Sequence, residues 1–446
     1  MRACLTTVVA LTISAVLMGG TNEARAQFSP GARSAGMGGA GLLFATGLDA
    51  VEWNPANLAW SRGWDVSLYE FGAAGLLTGA TIEDLIEIAT AAGDGDASVV
   101  NRLPADGLRL STTLEGFVTA NAASLADLPE AGSPLPSVGI AVGPVALRVR
   151  SRFMADASVS REIADLAVSG YNPERIQEYA VRNTSIRTVS FTEVTLAYGL
   201  TLGERFALGL AARSIRGHSL FQSRFFEPEV DLDAETLAVT AATVEAPGGT
   251  GYGFDVGMAL DLGVGVRVSM VGSNLFQRMT WDEDLVGRQA VFSDTDFDSA
   301  DIIELIDRFE EAPIEAEGVS LTVFEAARGL FRQSYFPMTI RAGLGWTHGG
   351  TSVEVVGVAV SPRGRHYSTW DERVSAGLEQ RLAFLTLRGG YSLSKDGLSS
   401  MAAGLGLGLG PVKFEVGAGR FSGTLNGVDY DGAQVTIALS VRGGGS

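Results

Sequence analysis

The sequence predicts an all-β fold, a 14-stranded antiparallel transmembrane β-barrel. Three observations support this prediction. The chain begins with an export signal and contains no later membrane-spanning helix. Its remaining length alternates apolar and polar residues with the period of a β-strand. The gaps between the alternating segments are short and long in turn, which is typical of outer-membrane barrels with tight turns at one end and long loops at the other.

The first 26 residues have the features of a cleavable signal peptide. Arg2 supplies the basic start, an apolar run extends from Leu5 to Leu17, and Ala24-Arg25-Ala26 forms a cleavage motif before Gln27. No later apolar run reaches the roughly 20 residues that a spanning helix needs. Cys4 is the only cysteine, so we expect neither a disulfide nor a cysteine metal site in the exported chain.

Strand-like alternation dominates the chain from residue 63 onward. Val412, Phe414 and Val416 share one face of a segment, for example, whereas Lys413 and Glu415 share the other. We predict fourteen strands, at residues 64–73, 135–142, 145–155, 184–201, 206–221, 251–261, 265–275, 336–347, 351–361, 370–380, 383–393, 399–409, 412–421 and 432–442.

The gaps between these strands favour a barrel over a soluble sandwich. Six gaps are very short, at residues 143–144, 202–205, 262–264, 348–350, 381–382 and 410–411. Four gaps are long, at residues 74–134, 156–183, 222–250 and 276–335, and we predict that they are external loops. A sandwich has no reason to alternate short and long connections so regularly, whereas a barrel does.

The two faces of the predicted strands differ in polarity. The apolar face includes Trp346 and Tyr391. Periodicity alone fits either a sandwich with its polar face in water or a barrel with its polar face around a lumen. The export signal and the gap pattern favour the barrel. The charged residues that we then expect to line the lumen are Glu193, Arg213, Asp255, Arg267, Arg341, Glu354, Arg373, Glu379, Arg388, Lys413 and Glu415.

The net charge of −18 disfavours nucleic acid as a partner, because phosphates require a basic surface. Acidic residues concentrate in Phe226–Glu235 and Asp294–Glu317, which we interpret as solvated loops, with divalent-ion binding as the alternative. Helical spacing in Thr81–Ala92, Asp301–Glu311 and Val323–Phe331 predicts some helices in the external loops. Such helices either cap the loops or form an apolar collecting surface.

Residues 27–62 predict a compact plug between the signal peptide (1–26) and the barrel (63–442). Gly36, Gly38 and Gly39 belong to a G-x-G-x-x-G pattern. A dinucleotide site would need a preceding strand and a βαβ unit, and neither pattern is present. We interpret these glycines as a backbone that passes through a narrow space with unusual dihedral angles.

Asn54-Pro55-Ala56 predicts a rigid turn that would hold the plug against the wall. On its own, Asn-Pro is also a common surface turn. For catalysis, no G-x-S-x-G or H-E-x-x-H motif occurs. The three histidines, His218, His348 and His366, are far apart in the chain. We therefore expect no catalytic residues, no metal site and no cofactor.

The stretch from Gly31 to Ala40, G-A-R-S-A-G-M-G-G-A, followed by Trp53-Asn54-Pro55-Ala56-Asn57-Leu58, resembles the N-terminal signature of the FadL-type outer-membrane transporter superfamily. That superfamily includes long-chain fatty acid and hydrocarbon channels and PorV-like members. The resemblance implies a hatch inside the lumen whose gate residues are Gly36, Gly38, Gly39, Asn54, Pro55 and Ala56.

The resemblance also implies a function, passive uptake of hydrophobic small molecules such as fatty acids or hydrocarbons across the outer membrane of a Gram-negative bacterium. Its expected partners are membrane lipid and the apolar ligand, and no substrate-binding residue can be assigned. The alternative is a PorV-like scaffold that binds secreted proteins without transport. The lumen distinguishes the two, because a transporter needs an apolar pocket whereas a scaffold can have a polar, closed lumen.

Overall fold

A computed structural model describes residues 30–81, 83, 107–119, 132–162, 184–225, 229–231, 236–283, 286–293, 310–312, 336–361, 372–395, 397–425 and 428–444. The predicted signal peptide lies outside these residues. Three short helices come first, α1 (Ala32–Ala35), α2 (Leu48–Trp53) and a 3-10 helix (Pro55–Trp60). Among the described residues, no helix has the length and apolarity needed to cross a membrane.

Strands make up most of the described residues after the 3-10 helix. The first half contains β1 (Trp64–Thr78), β2 (Leu108–Glu115), β3 (Phe117–Thr119), β4 (Gly132–Pro134), β5 (Val138–Val142), β6 (Val145–Val159), β7 (Ser185–Leu202), β8 (Phe206–Phe225), β9 (Glu229–Asp231), β10 (Thr236–Ala246) and β11 (Gly248–Gly263). The second half contains β12 (Val266–Ser273), β13 (Arg278–Glu283), β14 (Val286–Ser293), β15 (Glu310–Ala312), β16 (Thr339–His348), β17 (Thr351–Val360), β18 (Arg373–Leu382), β19 (Leu385–Ser394), β20 (Ser399–Leu409), β21 (Val412–Leu425) and β22 (Val428–Gly443).

The sheet is antiparallel and closes on itself, because β1 pairs with β22 from Trp64 opposite Gly443 to Thr78 opposite Tyr430. Several strands lie end to end and share one position in the wall. β2 and β5 both pair with β1 and β6, β10 and β11 both pair with β8, and β12, β13 and β14 run along β11 and β10. The wall therefore has fourteen positions, and the predicted barrel is confirmed.

The two ends of the barrel differ. At one end, which we call the turn end, neighbouring strands are joined by two or three residues, at 143–144, 203–205, 264–265, 349–350, 383–384 and 410–411. We call the opposite end the loop end. The short connections are the predicted ones, within two residues. Glycines with positive φ, such as Gly143 at 55° and Gly410 at 62°, allow these tight reversals.

Exposure alternates along the strands as predicted. In β7, Val194, Leu196 and Tyr198 point outward and are 41–55% exposed, whereas the intervening residues are buried. Trp346 and Tyr391 also point outward, at 41% and 48%. The charged face points into the lumen, where Arg373 and Glu379 are almost fully buried. An apolar outer face around a polar lumen is the arrangement of a transmembrane barrel.

The second wall position differs from the prediction. We expected one strand at 135–142 after a loop at 74–134, but the position is shared by β5 at the turn end and β2 at the loop end. Gly116, with φ of 83°, ends β2, and the chain leaves the wall in the β3–β4 hairpin before returning. The sequence of β2, LRLSTTLE, is too short and polar to distinguish from a loop by pattern.

The strands also continue further toward the loop end than predicted. The gap at 222–250 contains the end of β8, β9, β10 and the start of β11, and the gap at 276–335 contains β13, β14 and β15. Parts of the acidic segments are therefore strands, at Glu229–Asp231 and Glu310–Ala312. The strand β15 also overlaps the end of the helix predicted at 301–311. Apart from Thr81 and Glu83, the other two predicted loop helices lie outside the described residues.

Candidate functional site

The N-terminal segment, residues 30–62, lies in the turn-end half of the lumen. Nearly all its residues are buried, including Trp53 and Leu58 at 2% and 0% exposure. Its contacts reach strands from β1 to β22. Asn57 Nδ2 donates to Leu42 O at 2.9 Å and Trp53 Nε1 donates to Pro30 O at 3.1 Å. The segment is therefore folded on itself as well as packed against the wall.

The predicted glycine positions occupy different environments within this segment. Gly38 and Gly39 have φ of 64° and 84°, a region in which side chains are strained. Gly36 has φ of −71° and is an ordinary helical C-cap. A glycine is needed at this position because the wall leaves no room for a side chain. A Cβ at Gly36 would lie 2.7 Å from the Cα of Gly404. Only two of the three glycines therefore show the unusual dihedral angles that we expected.

Asn54, Pro55 and Ala56 form a capped turn against the wall. The Asn54 side chain is fully buried, and its Oδ1 accepts a hydrogen bond from the Ala56 N–H at 3.0 Å. Its Nδ2 donates to the carbonyl of Met258 in β11 at 3.0 Å. Pro55 occupies the first position of the 3-10 helix, where a missing N–H costs little. Asn54 thus joins the start of this helix to the wall.

A ring of wall glycines, which we call the glycine ring, makes room for the N-terminal segment. At each position an added Cβ would be crowded against the segment. At Gly377 it would lie 2.8 Å from the Ala40 side chain, and at Gly345 2.8 Å from the Phe44 ring. The glycine ring comprises ten residues on nine strands: Gly139, Gly199, Gly209, Gly257, Gly343, Gly345, Gly377, Gly390, Gly404 and Gly417. We did not predict this ring.

A sequence signal for the glycine ring exists once the lumen-facing residues are known. Several ring glycines lie two residues from a predicted lumenal charge, and therefore face the same way. Gly257 follows Asp255, Gly390 follows Arg388 and Gly417 follows Glu415 at this spacing. When glycines occur two residues from lumenal charges on many strands, they indicate that another part of the protein occupies the lumen beside them.

Arg33 anchors one side of the segment through buried ion pairs. Its Nη2 lies 2.8 Å from Glu354 Oε1 and its Nε lies 2.9 Å from Glu379 Oε2. The network continues through the wall from Glu379 to Arg388 at 2.8 Å, and from Arg388 to Glu415 at 2.6 Å. Burial alone would lower the pKa of Arg33, but Glu379 and Glu354 outweigh it and raise the pKa above its ordinary value.

Glu52 anchors the opposite side of the segment. It forms an ion pair with Arg150 of β6, and Arg150 Nε also donates to Glu115 Oε1 at 2.7 Å. Burial alone would raise the pKa of Glu52, but Arg150 and Arg148 outweigh it and hold the pKa well below its ordinary value of 4.5. The segment is thus clamped by a cation on one side and an anion on the other.

Backbone and aromatic contacts complete the seat of the segment. Arg267 Nη1 donates to the Leu43 carbonyl at 2.9 Å, and its guanidinium carbon lies 4.2 Å from the centre of the Trp60 ring. Arg341 lies over the ring of Trp53 at 5.4 Å. Such cation–π contacts are strengthened where water is excluded. Two lumenal arginines therefore bind the segment through a backbone carbonyl and aromatic rings, and neither contact uses a carboxylate of the segment.

The lumen changes character beyond the ion pairs, toward the loop end. An apolar group, which we call the loop-end cluster, faces the lumen from β6, β7, β8, β10 and β13. Phe191 lies two residues from the buried Glu193, and Ile215 lies two residues from Arg213, so the cluster begins one layer above the charges. Its members are Met154, Val189, Phe191, Ile215, Leu220, Val244, Ala246, Met279, Trp281 and Phe336.

Aromatic contacts organise the loop-end cluster. The rings of Phe191 and Phe336 meet edge to face, with centroids 4.9 Å apart and planes at 71°, a favourable arrangement for two aromatic rings. The cluster was not predicted, because its residues occupy lumen-facing positions where we expected charges. Its sequence signal is the change from Glu193 to Phe191 and from Arg213 to Ile215 along one strand face.

The described residues contain no group of three or more His, Cys, Asp or Glu side chains able to hold a metal ion. His218 Nε2 lies 2.7 Å from Thr192 Oγ1 in the neighbouring strand, and the His348 ring stacks on Trp346 at 5.8 Å. His366 lies outside the described residues. The two described histidines are therefore on separate parts of the wall.

No family model matches the sequence, and a comparison with curated proteins finds no match. Solved structures do match. The Ralstonia pickettii toluene transporter TbuX aligns with a TM-score of 0.51 at 12% sequence identity, covering 92% of this chain and 98% of that one. The CymD monoaromatic hydrocarbon channel aligns with a TM-score of 0.51 at 12% identity, covering 95% and 100%.

The TodX monoaromatic hydrocarbon channel, in its deltaS2 mutant, aligns with a TM-score of 0.50 at 10% identity and covers 94% of this chain and 100% of that one. These alignments extend over almost the whole length of each chain. At such low identities they establish the fold. The resemblance drawn from residues 31–58 is confirmed at that level, since the chain shares its fold with the toluene transporter and the monoaromatic hydrocarbon channels.

Proposed function

We propose that this protein is an outer-membrane channel for the passive uptake of small hydrophobic molecules, with the N-terminal segment as its hatch. The loop-end cluster carries the proposal. Ten apolar side chains face the lumen, one layer above charged residues such as Glu193 and Arg213. These residues do not touch lipid, and a concentration of apolar side chains inside a barrel is typical of a site that binds an apolar ligand.

In this mechanism an apolar molecule leaves water at the loop end and enters the loop-end cluster. The driving force is burial of its surface, at about 25 cal/mol per Å². The N-terminal segment closes the lumen below the ligand. Asn54, Pro55 and Ala56 lie at the wall, and a shift of this turn away from Met258 would open a route past the segment. No covalent step is required, so we propose no catalytic residues.

The experiment that tests the channel is native mass spectrometry of the protein extracted gently from the outer membrane. We expect a bound apolar compound of small mass, and we expect its signal to fall in Phe191→Asp, which places a charge in the loop-end cluster. The outward-facing Leu196→Ala is the matched control, since Leu196 is 55% exposed on the same strand. A bound protein without any small ligand would instead favour the scaffold function.

The gate has its own test. Pro55→Gly loosens the 3-10 helix without removing the wall contact of Asn54, and we expect the rate of ligand uptake into proteoliposomes to change. Barrel integrity is checked by heat-modifiable migration on electrophoresis. An unchanged uptake rate in a folded Pro55→Gly barrel would show that this turn is not the gate.

A further inference from the structure

The loop-end cluster contains one buried hydrogen-bond donor, the indole N–H of Trp281. The Trp281 side chain is 3% exposed. Its Nε1 has no hydrogen-bond partner among the residues that the structure describes. A buried indole N–H usually has an acceptor, and the surrounding cluster of aliphatic and aromatic side chains supplies none.

The contacts of the ring show which part of the wall Trp281 lies against. A Cβ at Gly217 would meet Cζ3 and Cη2 of Trp281, and a Cβ at Gly249 would meet Cε3 and Cδ2. The six-membered ring therefore lies against the backbone of β8 and β11. Trp281 therefore lies within the loop-end cluster, over these two strands.

The wall does not satisfy this donor. Gly217 and Gly249 form the last pair of the ladder between β8 and β11, and none of the carbonyls described in this part of the wall accepts a hydrogen bond from Trp281 Nε1. The donor is therefore buried and unpaired within the cluster to which the proposed function assigns the ligand.

We infer that Trp281 donates a hydrogen bond to the ligand, and that the preferred ligand is a neutral apolar molecule carrying one acceptor oxygen, such as a ketone, ester or ether. This inference rests on the proposed channel function and sharpens its substrate class. A bare hydrocarbon would fill the loop-end cluster but leave the donor unsatisfied. The indole N–H is a neutral donor, so a neutral acceptor oxygen is enough to satisfy it.

A matched pair of ligands tests the inference. Acetophenone and ethylbenzene have the same ring and chain length and differ by one carbonyl oxygen. Binding of each to the purified barrel in nanodiscs is measured by calorimetry and corrected for the partition of each compound into empty nanodiscs. We expect wild-type protein to favour acetophenone by about three- to tenfold, the contribution of one net hydrogen bond.

Trp281→Phe keeps an aromatic ring and removes the donor. We expect it to lose the preference for acetophenone while retaining affinity for ethylbenzene, which also shows that the variant is folded. Trp346→Phe is the control, because Trp346 points outward and is 41% exposed; it should retain the preference. The carbonyl stretch of bound acetophenone should shift to lower frequency in wild type and not in Trp281→Phe.

The two ways of failing are distinct. If neither compound binds wild-type protein, the proposed channel function fails. If both bind, but wild type shows no preference or Trp281→Phe keeps it, the donor role is overturned while the channel function stands.

Discussion

The two halves of the lumen are built on different principles. In the turn-end half, the N-terminal segment is held by directional contacts, such as Arg33 between Glu354 and Glu379 and Asn54 on the Met258 carbonyl. In the loop-end half, the loop-end cluster consists almost entirely of side chains without directional groups. One half specifies a single occupant, whereas the other can accommodate a range of shapes.

In the proposed channel, this difference allows one barrel to be closed at the turn end and to bind a ligand at the loop end. Buried ion pairs stabilise little compared with apolar packing of similar size, but they penalise any arrangement that breaks them. They therefore favour a single position of the N-terminal segment. Apolar contacts lack direction, so they allow a ligand to bind and leave in several orientations. Four substitutions test this division, from the largest expected effect to the smallest.

Arg33→Ala should have the largest effect, because it leaves Glu354 and Glu379 buried with one cation fewer. Removing one partner of a buried ion pair costs about 3–5 kcal/mol. We expect backbone amides of residues 31–62 to exchange hydrogen faster by the corresponding factor, measured by mass spectrometry. Arg420→Ala is the control, since Arg420 pairs with Asp431 but its side chain is 75% exposed. Equal effects of the two changes would contradict the anchoring role of Arg33.

Gly390→Val should displace the segment by overpacking, at a cost of about 1–3 kcal/mol or more. A side chain there meets the backbone of Met37 and Gly38, whereas Gly389 has nothing within 4 Å of an added Cβ. We expect Gly390→Val to produce ion-conducting channels in planar bilayers and Gly389→Val to remain closed. Closed channels in both variants would mean that the glycine ring does not seat the plug.

Phe191→Ala acts on the other half and should leave the plug in place. It removes a buried ring that contacts Phe336, and we expect ligand affinity to fall about tenfold. Hydrogen exchange of residues 31–62 should be unchanged. Faster hydrogen exchange of residues 31–62 in this variant would show that the two halves of the lumen are energetically coupled.

Glu52→Gln should have the smallest effect and a distinctive pH dependence. Arg150 keeps Glu115 as a partner. We therefore expect the free energy that protects the amides of residues 31–62 from hydrogen exchange to fall by only about 1 kcal/mol at neutral pH. The pKa of Glu52 is lowered in the folded protein. Its contribution is therefore present above the ordinary value of 4.5 and lost as the pH falls below it. The difference in hydrogen-exchange protection between wild type and Glu52→Gln should become smaller below pH 4.5. A difference that does not change with pH would contradict the ion pair between Glu52 and Arg150.

The architecture of the wall was predictable because alternation and gap length are local properties of the sequence. Apolar residues at every second position, such as Val194, Leu196 and Tyr198, are enough to identify the outward face of a strand. The loop-end extensions were not predictable in the same way. The sequence of β10, TLAVTAATVEA, has apolar residues at both odd and even positions, so it shows no alternation. Pairing with β8 and β14 makes this segment a strand, and pairing is not visible locally.

The site was only partly predictable. Asn54 could be identified because an Asx-Pro turn has a local signature. Its wall partner could not, since Met258 is 204 residues away and contributes only a backbone carbonyl. The charges of the lumen were predictable as a set, but the pairing of Arg33 with Glu379 depends on where the N-terminal segment lies against the wall. The proposed role of Trp281 depends on the burial of its N–H without an acceptor, which no residue pattern encodes.

The glycine ring has a consequence for how the molecule is assembled. Its ten glycines lie on strands from β5 to β21, so the seat for the plug is complete only when nearly the whole wall is in place. The contacts made there join residues that are very distant in sequence, such as Ala35 and Gln434. Contacts of such long range require long loops to close before they can form. We therefore expect the N-terminal segment to dock fully only after the strands that carry these glycines are in register.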